Sequence, residues 1–257
     1  MVNLKGATAF LCCGGMSLVE HDLSLLSGHG ILVAAVNNAP VAMWRNGRVR
    51  PHLWFSVDSP RCFHHDIFLD PACQKFVRRL HCDGDQHYGQ GRREQWRASR
   101  NDVRMRHEGR WVAWKPANEF PNVELYDAYD GDTFDLQSFF KYTSPPWRSE
   151  KMCSVMLPAL WFLVRMGVST INLIGCDLSM DVERPYPWEQ GKSVKAVAEE
   201  NVCLTWLRNS ALPALIDAAY GRGTIIRRLT PGELPAAVRG VRETIPFQFA
   251  GDLYTTE

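Results

Sequence analysis

The sequence predicts an α/β fold in which an open, mostly parallel, Rossmann-like sheet is flanked by helices. Three short apolar runs in the first quarter of the chain each end in small or polar residues, at positions 7–13, 30–37 and 52–58. A buried helix followed by a buried strand is indicated between Lys151 and Met180. Short apolar strands alternating with helices are typical of parallel sheets covered on both faces.

The first three strands follow one another closely. Ala7 to Cys13 is the first, and Gly14-Gly15 then begins a turn into a helical stretch from Ser17 to Leu26. Gly30 to Asn37 and His52 to Asp58 are the second and third. Because parallel strands end at the same edge of a sheet, where ligands bind in such folds, we expect these polar ends to lie close together.

The segment Lys151–Met180 predicts the next helix and strand. Apolar residues at spacings of three and four place one side of the helix in the core, at Val155, Met156, Ala159, Leu160, Leu163, Val164 and Met166. Gly167 ends this helix, and the β-branched run Ser169 to Gly175 forms a strand. Asp177 follows at the ligand edge, where it either serves function or caps the next turn.

The sequence predicts a single domain over residues 1–257. Residues at about 60–145 are expected to form an irregular, Arg-rich insertion or lid beside the sheet. A helix is expected from Val194 to Tyr220, kinked or divided at Pro213. Gly223 to Arg228 is the last strand, and Thr230-Pro231 begins a terminal helix.

Bulk composition limits the partners and the location. The chain has 257 residues and a formal net charge of +1, so no global field draws it to nucleic acid or to an anionic membrane. Its longest apolar stretch, 155–164, contains a proline and is too short to span a bilayer. Eight cysteines without a paired framework fit reduced, buried thiols. We expect a cytoplasmic protein with no membrane partner.

Each polar strand end has a chemical interpretation and a plainer one. Gly14-Gly15, with Ser17 after them, could hold a phosphate on backbone N–H groups, or simply make a turn. Asn37-Asn38 could bind a base or ribose, or adopt a left-handed turn. Asp58 could bind a hydroxyl or a metal-bound phosphate, or cap the turn before Pro60.

The insertion contains two further candidate clusters. Three cysteines and four histidines that zinc would accept lie between positions 62 and 87, at irregular spacing: Cys62, His64, His65, Cys73, His81, Cys82 and His87. Arginines alternate with aromatic residues over 78–110, which could contact DNA or a glycan acceptor. The same segment contains acidic residues, and the alternative is a solvated loop of mixed charge.

No histidine follows His107. A general base from the C-terminal half must therefore be a carboxylate, a tyrosine or a group on the substrate. The candidates are Asp177, Glu189 and Tyr186.

Several motifs together resemble a known superfamily. The first is CGGMSLVEHDLSLL, which resembles the G-x-G-P-S-L motif that opens bacterial sialyltransferases using cytidine-monophosphate sugars. It equally resembles proteins of domain of unknown function 115, including 6-hydroxymethylpterin diphosphokinase-like enzymes. VAAVNNA and the segment 151–180 resemble their second strand and their long helix followed by a strand ending in Gly-x-Asp. PYPWEQ, the helix with Glu200-Asn201 and TPGEL resemble a phage and bacterial subgroup.

The resemblance implies a nucleotide site formed by Gly14, Gly15, Ser17 and Asn37 at the strand ends. Gly14 stands where the sialyltransferase motif usually has asparagine, and their late histidine has no counterpart here. The expected activity is glycosyl transfer from a nucleotide sugar, with Asp177 or Glu189 as base. The glycine-loop amides and Arg148 or Lys151 are expected near the departing phosphate, with Asn38 and Asp58 completing the nucleotide site.

The acceptor expected from the phage subgroup is a hydroxymethylated base in DNA. Two alternatives remain open. One is diphosphate transfer from ATP to a small heterocycle, with Asp58 and Asp177 as metal ligands. The other is a non-catalytic relative that binds nucleic acid and has lost the chemistry.

Overall fold

A computed structural model describes residues 4–58, 63, 65–78, 102–107, 110–126, 154–188 and 191–242. Seven strands form one sheet in the order β7-β4-β3-β2-β1-β8-β9, and every neighbouring pair is parallel. Its strands are β1 (Thr8–Cys12), β2 (Leu32–Val36), β3 (Leu53–Ser56), β4 (Gln74–Arg78), β7 (Val123–Tyr126), β8 (Thr170–Ile174) and β9 (Ile225–Arg228). The predicted open parallel sheet is confirmed.

A separate antiparallel pair consists of β5 (Asp102–His107) and β6 (Arg110–Pro116). The α-helices are α1 (Ala39–Gly47), α2 (His65–Leu69), α3 (Met156–Arg165), α4 (Val194–Trp206), α5 (Leu212–Tyr220) and α6 (Leu234–Arg242). Short 3₁₀ helices lie at Met16–Glu20, Leu23–Ser27, Ala117–Glu119 and Pro231–Glu233. Across these described ranges, no helix combines the length and hydropathy that a bilayer span needs.

Helices cover both faces of the sheet, which explains why its central strands are apolar throughout. In β1, Ala9 and Leu11 pack in a core with α3 and α5, whereas Phe10 and Cys12 pack in a second core with α1 and α6. All four side chains are fully buried. Successive residues of a strand point to opposite faces, so a strand buried on both faces shows no polar alternation.

The C-terminal elements match their predicted order. The long helix predicted over 194–220 is divided, because a π-helical turn at Leu207–Ala211 separates α4 from α5. Pro213 lies in the first turn of α5, and proline has no N–H to continue the α-helical ladder. The wider π turn therefore accommodates this proline without ending the helical path.

The segment at about 60–145 contributes more regular structure than an irregular insertion would. Both β4 and β7 come from this segment, and they extend the main sheet beyond β3. The periodicity did not reveal β4 because its sequence, QKFVR, has polar or charged residues at three of its five positions. β4 is held in the sheet by its pairing with β3 and β7. It also contains a buried lysine, Lys75.

Lys75 of β4 is fully buried, and its ammonium group donates to backbone oxygens instead of to a carboxylate. The acceptors are the carbonyls of Asp70, Cys73 and Pro121, the last two at 2.8 and 2.9 Å. An ammonium group has three N–H donors, and all three have acceptors here. Burial lowers the pKa of Lys75, while the nearby Cys73 and Asp70 oppose that shift. Lys75 thus ties the loop before β7 to the start of β4.

We expect Lys75→Met to lower the free energy of unfolding by about 1–3 kcal/mol, because one buried and two partly buried carbonyls lose their donor. Chemical denaturation measures this change. The control is Lys195→Met on the exposed surface of α4, which should stay within about 0.5 kcal/mol of the wild type. Equal stability of the two variants would show that the carbonyl contacts do not support the sheet.

Candidate functional site

Four strand ends meet at one cleft. The chain leads from β1 to β2 on one side, and it later returns from β7 to β8 on the other side of β1, which makes this the switch point of the sheet. The cleft has a volume of about 520 Å³. It is lined by residues that follow β1, β2, β3 and β8 and by the segment after Asp177, including Gly14, Gly15, Asn37, Asn38, Asp58, Cys176, Asp177, Tyr186, Trp188, Lys192 and Glu200.

The loops that follow β1 and β8 are hydrogen-bonded to each other along their length. The N–H of Cys13 donates to the Ile174 carbonyl and that of Gly15 to the Gly175 carbonyl, both at 2.7 Å. Asp177 continues this series, because its Oδ2 accepts from the Ser17 N–H at 2.9 Å and its Oδ1 from the Ser17 hydroxyl. Both oxygens of Asp177 therefore anchor the start of the 3₁₀ helix Met16–Glu20.

Close packing explains the glycine at position 15. A Cβ atom there would lie 2.5 Å from Oδ2 of Asp177 and 2.6 Å from the Gly175 carbonyl oxygen. Gly14 faces the other side of the loop, where a Cβ would lie 3.0 Å from the Trp188 ring. The glycine pair thus lets two loops and an aromatic side chain approach one another.

These hydrogen bonds determine which backbone N–H groups of the glycine loop are open to the cleft. The N–H groups of Gly15 and Ser17 are occupied by Gly175 and Asp177. The N–H of Gly14 has no hydrogen-bond partner within the described ranges. Among the N–H groups of Gly14, Gly15 and Ser17, that of Gly14 is therefore open to a ligand such as a phosphate.

Asn37 has a left-handed backbone, with φ of 47°, at the end of β2. Its backbone carbonyl accepts from the Trp54 indole at 2.7 Å, and its Nδ2 lies 3.5 Å from Oδ2 of Asp58. The side-chain oxygen is buried and has no hydrogen-bond partner in the described part of the chain. A buried, unpaired acceptor is costly unless a ligand supplies a donor.

Asp58 lies at the mouth of the cleft, where its side chain keeps contact with solvent. The surrounding protein nevertheless raises the pKa of this carboxyl, chiefly by partial desolvation. The carboxylate of Glu200 adds to the rise, whereas Arg78, Asn37 and Lys192 oppose it. Asp58 is thus a carboxyl group with both negative and positive neighbours across the cleft.

The segment after β8 supplies an aromatic and charged wall. The rings of Tyr186 and Trp188 stack with centroids 5.1 Å apart and an interplanar angle of 5°. The Lys192 ammonium lies 4.9 Å from the Tyr186 ring centre and donates to Glu200 at 2.8 Å. Glu200 also lies 3.5 Å from the Tyr186 hydroxyl. Tyr186, Lys192 and Glu200 therefore hold one another in place.

Asn201 attaches this wall to α4. Its side-chain oxygen accepts from the Met180 N–H at 2.8 Å, and its Nδ2 donates to the Met180 carbonyl at 3.0 Å. The backbone of Leu178, also at the cleft, is left-handed with φ of 54°. A β-branched or long side chain rarely adopts this conformation, so the surrounding contacts must hold the turn after Asp177.

The structure thus brings together seven of the predicted site residues: Gly14, Gly15, Asn37, Asn38, Asp58, Asp177 and Tyr186. Ser17 lies directly behind them, bonded to Asp177.

Glu189, Arg148 and Lys151 lie outside the described residues, as do Cys62, His64, His81, Cys82, His87 and most of the Arg-rich segment 78–110. Cys73 is buried in the second core, and its zinc role stays a prediction. The described residues contain no group of three His, Cys, Asp or Glu that would hold a metal.

No sequence pattern indicated Lys192 or Trp188 as residues of the cleft. Lys192 lies in a loop eight positions before Glu200, and nothing in that spacing indicates that the two form an ion pair in the wall of a cleft. His21 is 4% exposed, and neither ring nitrogen has a partner in the described ranges. Burial lowers the pKa of His21, although Glu20 and Asp177 oppose the shift. His21 is not among the residues that line the cleft.

No family model and no curated protein sequence matches the chain. Among solved structures, the sialyltransferase CST-II in complex with a trisaccharide acceptor and CMP is 14% identical, with a TM-score of 0.46 over 90% of this chain and 84% of that one. CstII from Campylobacter jejuni in complex with cytidine-5'-monophosphate is 13% identical, with a TM-score of 0.46 over 91% and 84%. A mammalian sialyltransferase in complex with Gal-beta-1-3GalNAc-ortho-nitrophenol is 14% identical, with a TM-score of 0.41 over 88% and 70%. The fold assignment itself rests on the strand order of this chain.

We expect Gly15→Ala to lower the free energy of unfolding by about 1–3 kcal/mol, because the new methyl group forces the β1 and β8 loops apart. Urea denaturation measures the loss. Gly232→Ala is the matched control, since a Cβ at Gly232 meets no atom within 4 Å. A Gly15→Ala variant as stable as this control would contradict the proposed close packing.

We expect Asp58→Asn to stabilise the fold near neutral pH, because the folded protein raises the pKa of Asp58 and so disfavours its ionised form. The folded wild type loses stability as pH rises through the folded-state pKa, and the amide removes that loss. Below the ordinary value of 3.8 the carboxyl is protonated in both states, and the difference should vanish. Thermal unfolding across this pH range tests the sign.

Proposed function

We propose that the chain is a nucleotide-sugar-dependent glycosyltransferase whose donor binds in the cleft at the ends of β1, β2, β3 and β8. The observation that carries the proposal is that a carboxyl group, Asp58, and a lysine ammonium, Lys192, line one cleft at the strand ends. Such a pair suits a reaction that moves a proton from one group and builds negative charge on another.

In this reaction the acceptor hydroxyl oxygen attacks the anomeric carbon, and the bond from that carbon to the phosphate oxygen breaks. The bonding electrons leave with the nucleotide phosphate, while the hydroxyl proton passes to a base. We assign the base to Asp58, because a carboxyl of raised pKa accepts a proton more readily near neutrality. Lys192 neutralises the charge on the departing phosphate, and the open N–H of Gly14 is a further donor for it.

Asp177 receives a positioning role in this proposal instead of the role of base. Both of its oxygens accept hydrogen bonds from Ser17, so its carboxylate maintains the loop that carries Gly14. Asn37 would bind the donor's base or ribose, because its buried side-chain oxygen needs an N–H or O–H partner. Tyr186 would orient Lys192 and Glu200. Roles for Asn38, Glu189, Arg148 and Lys151 stay proposals from the family resemblance.

The acceptor is proposed to be a hydroxymethylated base in DNA, or a glycan, which the arginines of the segment 78–110 are expected to contact. ATP-dependent diphosphate transfer would require Asp58 and Asp177 as metal ligands. Asp177 is already bonded through both oxygens to Ser17, and no observation on the described residues favours that reaction.

The direct test incubates the purified protein with cytidine-, uridine- and guanosine-linked sugars, with hydroxymethylated DNA or oligosaccharides as acceptors. Release of nucleotide together with mass gain on an acceptor is the expected result. A parallel reaction with ATP and Mg²⁺ detects diphosphate transfer through formation of AMP. Absence of sugar transfer and of nucleotide release across all donors would refute the proposed function.

We expect Asp58→Asn to lower kcat about 10²- to 10⁴-fold while leaving the protein folded, because the amide accepts no proton. In the wild type, kcat/KM should fall on the acid side as Asp58 becomes protonated, and the variant should lose that limb. Lys192→Met should also lower kcat, whereas Lys195→Met, whose side chain lies on the exposed surface of α4, is the matched control. Retention of the acid limb in Asp58→Asn would assign the base elsewhere.

A further inference from the structure

A tryptophan and three arginines form an exposed cluster at the end of α1. The cluster consists of Trp44, Arg45, Arg48 and Arg50, all within seven residues, and we refer to it as the arginine-tryptophan patch. All four residues are exposed, and Trp44 keeps 50% of its surface open to solvent. Leu69, 46% exposed, lines the same groove as Trp44, so the exposed apolar area among these cations is not a single side chain.

The patch lies away from the cleft. Helix α1 starts after the carboxyl end of β2, and the chain then passes through the patch into the amino end of β3. The patch therefore sits at the amino-terminal edge of the sheet, opposite the strand ends that form the cleft. A groove of about 520 Å³ runs beside it, with Trp44, Arg45, Arg50, Ile67 and Leu69 among its walls.

The guanidinium group of Arg50 lies over the indole ring of Trp44. The Arg50 guanidinium carbon lies 5.1 Å from the centre of the Trp44 ring, and Nη1 of Arg50 lies 3.7 Å from Oδ2 of Asp70. The Arg50 side chain is 60% exposed, whereas that of Asp70 is only 13% exposed. Arg50, held by the Asp70 carboxylate, therefore lies over one face of the indole, and half of the Trp44 surface stays open to solvent.

The charge of the patch is positive. Arg45 and Arg48 make no ion pair with any residue in the described ranges. Asp66 and Asp70 are the carboxylates in the groove wall, and Asp70 already accepts from the Ala72 N–H as well as facing Arg50. Three exposed guanidinium groups therefore outnumber the acidic groups beside them and leave a site for an anionic partner.

We propose that the arginine-tryptophan patch binds single-stranded nucleic acid. An unstacked base stacks on the exposed surface of the Trp44 indole, and Arg45 and Arg48 contact the phosphates on either side. Stackable aromatic groups beside arginines are the features that hold single strands without sequence preference. Anionic polysaccharides would satisfy the charge but have no base for the exposed indole, and duplex DNA keeps its bases stacked on one another. This surface is independent of the proposed glycosyl transfer.

The test measures fluorescence anisotropy of a labelled oligothymidylate of about 20 nucleotides with the full chain, from about 50 to 200 mM salt. We expect Trp44→Ala to weaken binding about tenfold, which matches the loss of one stacked base. The double variant Arg45→Gln/Arg48→Gln should reduce the slope of log affinity against log salt by about 1.4, since each phosphate contact on a single strand contributes about 0.7. Neither substitution touches the cleft.

Matched controls separate this surface from other positive segments. Arg227→Gln/Arg228→Gln removes two exposed arginines on β9 and should change neither the affinity nor the salt slope. Heparin affinity should fall in the Arg45→Gln/Arg48→Gln variant and stay unchanged in Trp44→Ala, because heparin has no base to stack.

The proposal is overturned if the wild type does not bind the oligonucleotide, or if Trp44→Ala and the arginine variant bind it as the wild type does. It is equally overturned if Trp44→Ala weakens heparin and oligonucleotide binding alike. Thermal unfolding verifies that each variant is folded.

Discussion

The bond between Asp177 and Ser17 is the contact on which the cleft depends. It joins the loops after β1 and β8, the two strands between which the parallel sheet reverses its order. Because both carboxylate oxygens accept from Ser17, the start of the 3₁₀ helix and the position of Gly14 follow from this one side chain. Gly15 must lack a side chain for the two loops to approach so closely. A carboxylate at a strand end here holds the site together before any ligand enters.

The doubly covered sheet confines polar chemistry to its edges. Side chains of β1, β2 and β8 fill two cores, so most of the hydrogen-bonding and charged groups that they position appear where the strands end. Among the described residues, Asn172 in β8 and Lys75 in β4 are buried exceptions, and Lys75 is tolerated because three carbonyl oxygens satisfy its ammonium group. The opposite edge of the sheet gains its own exposed charges from the end of α1. Two edges with different chemistry thus result from one buried scaffold.

Local patterns were enough to predict most of the site that lies on the sheet itself. Gly14, Asn37, Asp58 and Asp177 each follow an apolar run, and parallel strands end at a common edge, so their proximity needed only the strand order. Lys192 and Glu200 could not be predicted in this way, because they reach the cleft from a loop and from a helix face. Side chains of that kind are placed by tertiary packing, for which the spacing along the chain has no fixed signature.

By itself the sequence determined the fold class, the central strands, the division of the long helix near Pro213 and the polar residues at the strand ends. Those features depend on local geometry, on the period of apolar residues and on the special backbones of glycine and proline. Only the tertiary structure decided that Asp177 bonds to Ser17, that Asp58 has a raised pKa and that β4 and β7 extend the sheet. The physical reason is that desolvation, pairing between distant strands and charge neighbours depend on residues far apart in the chain.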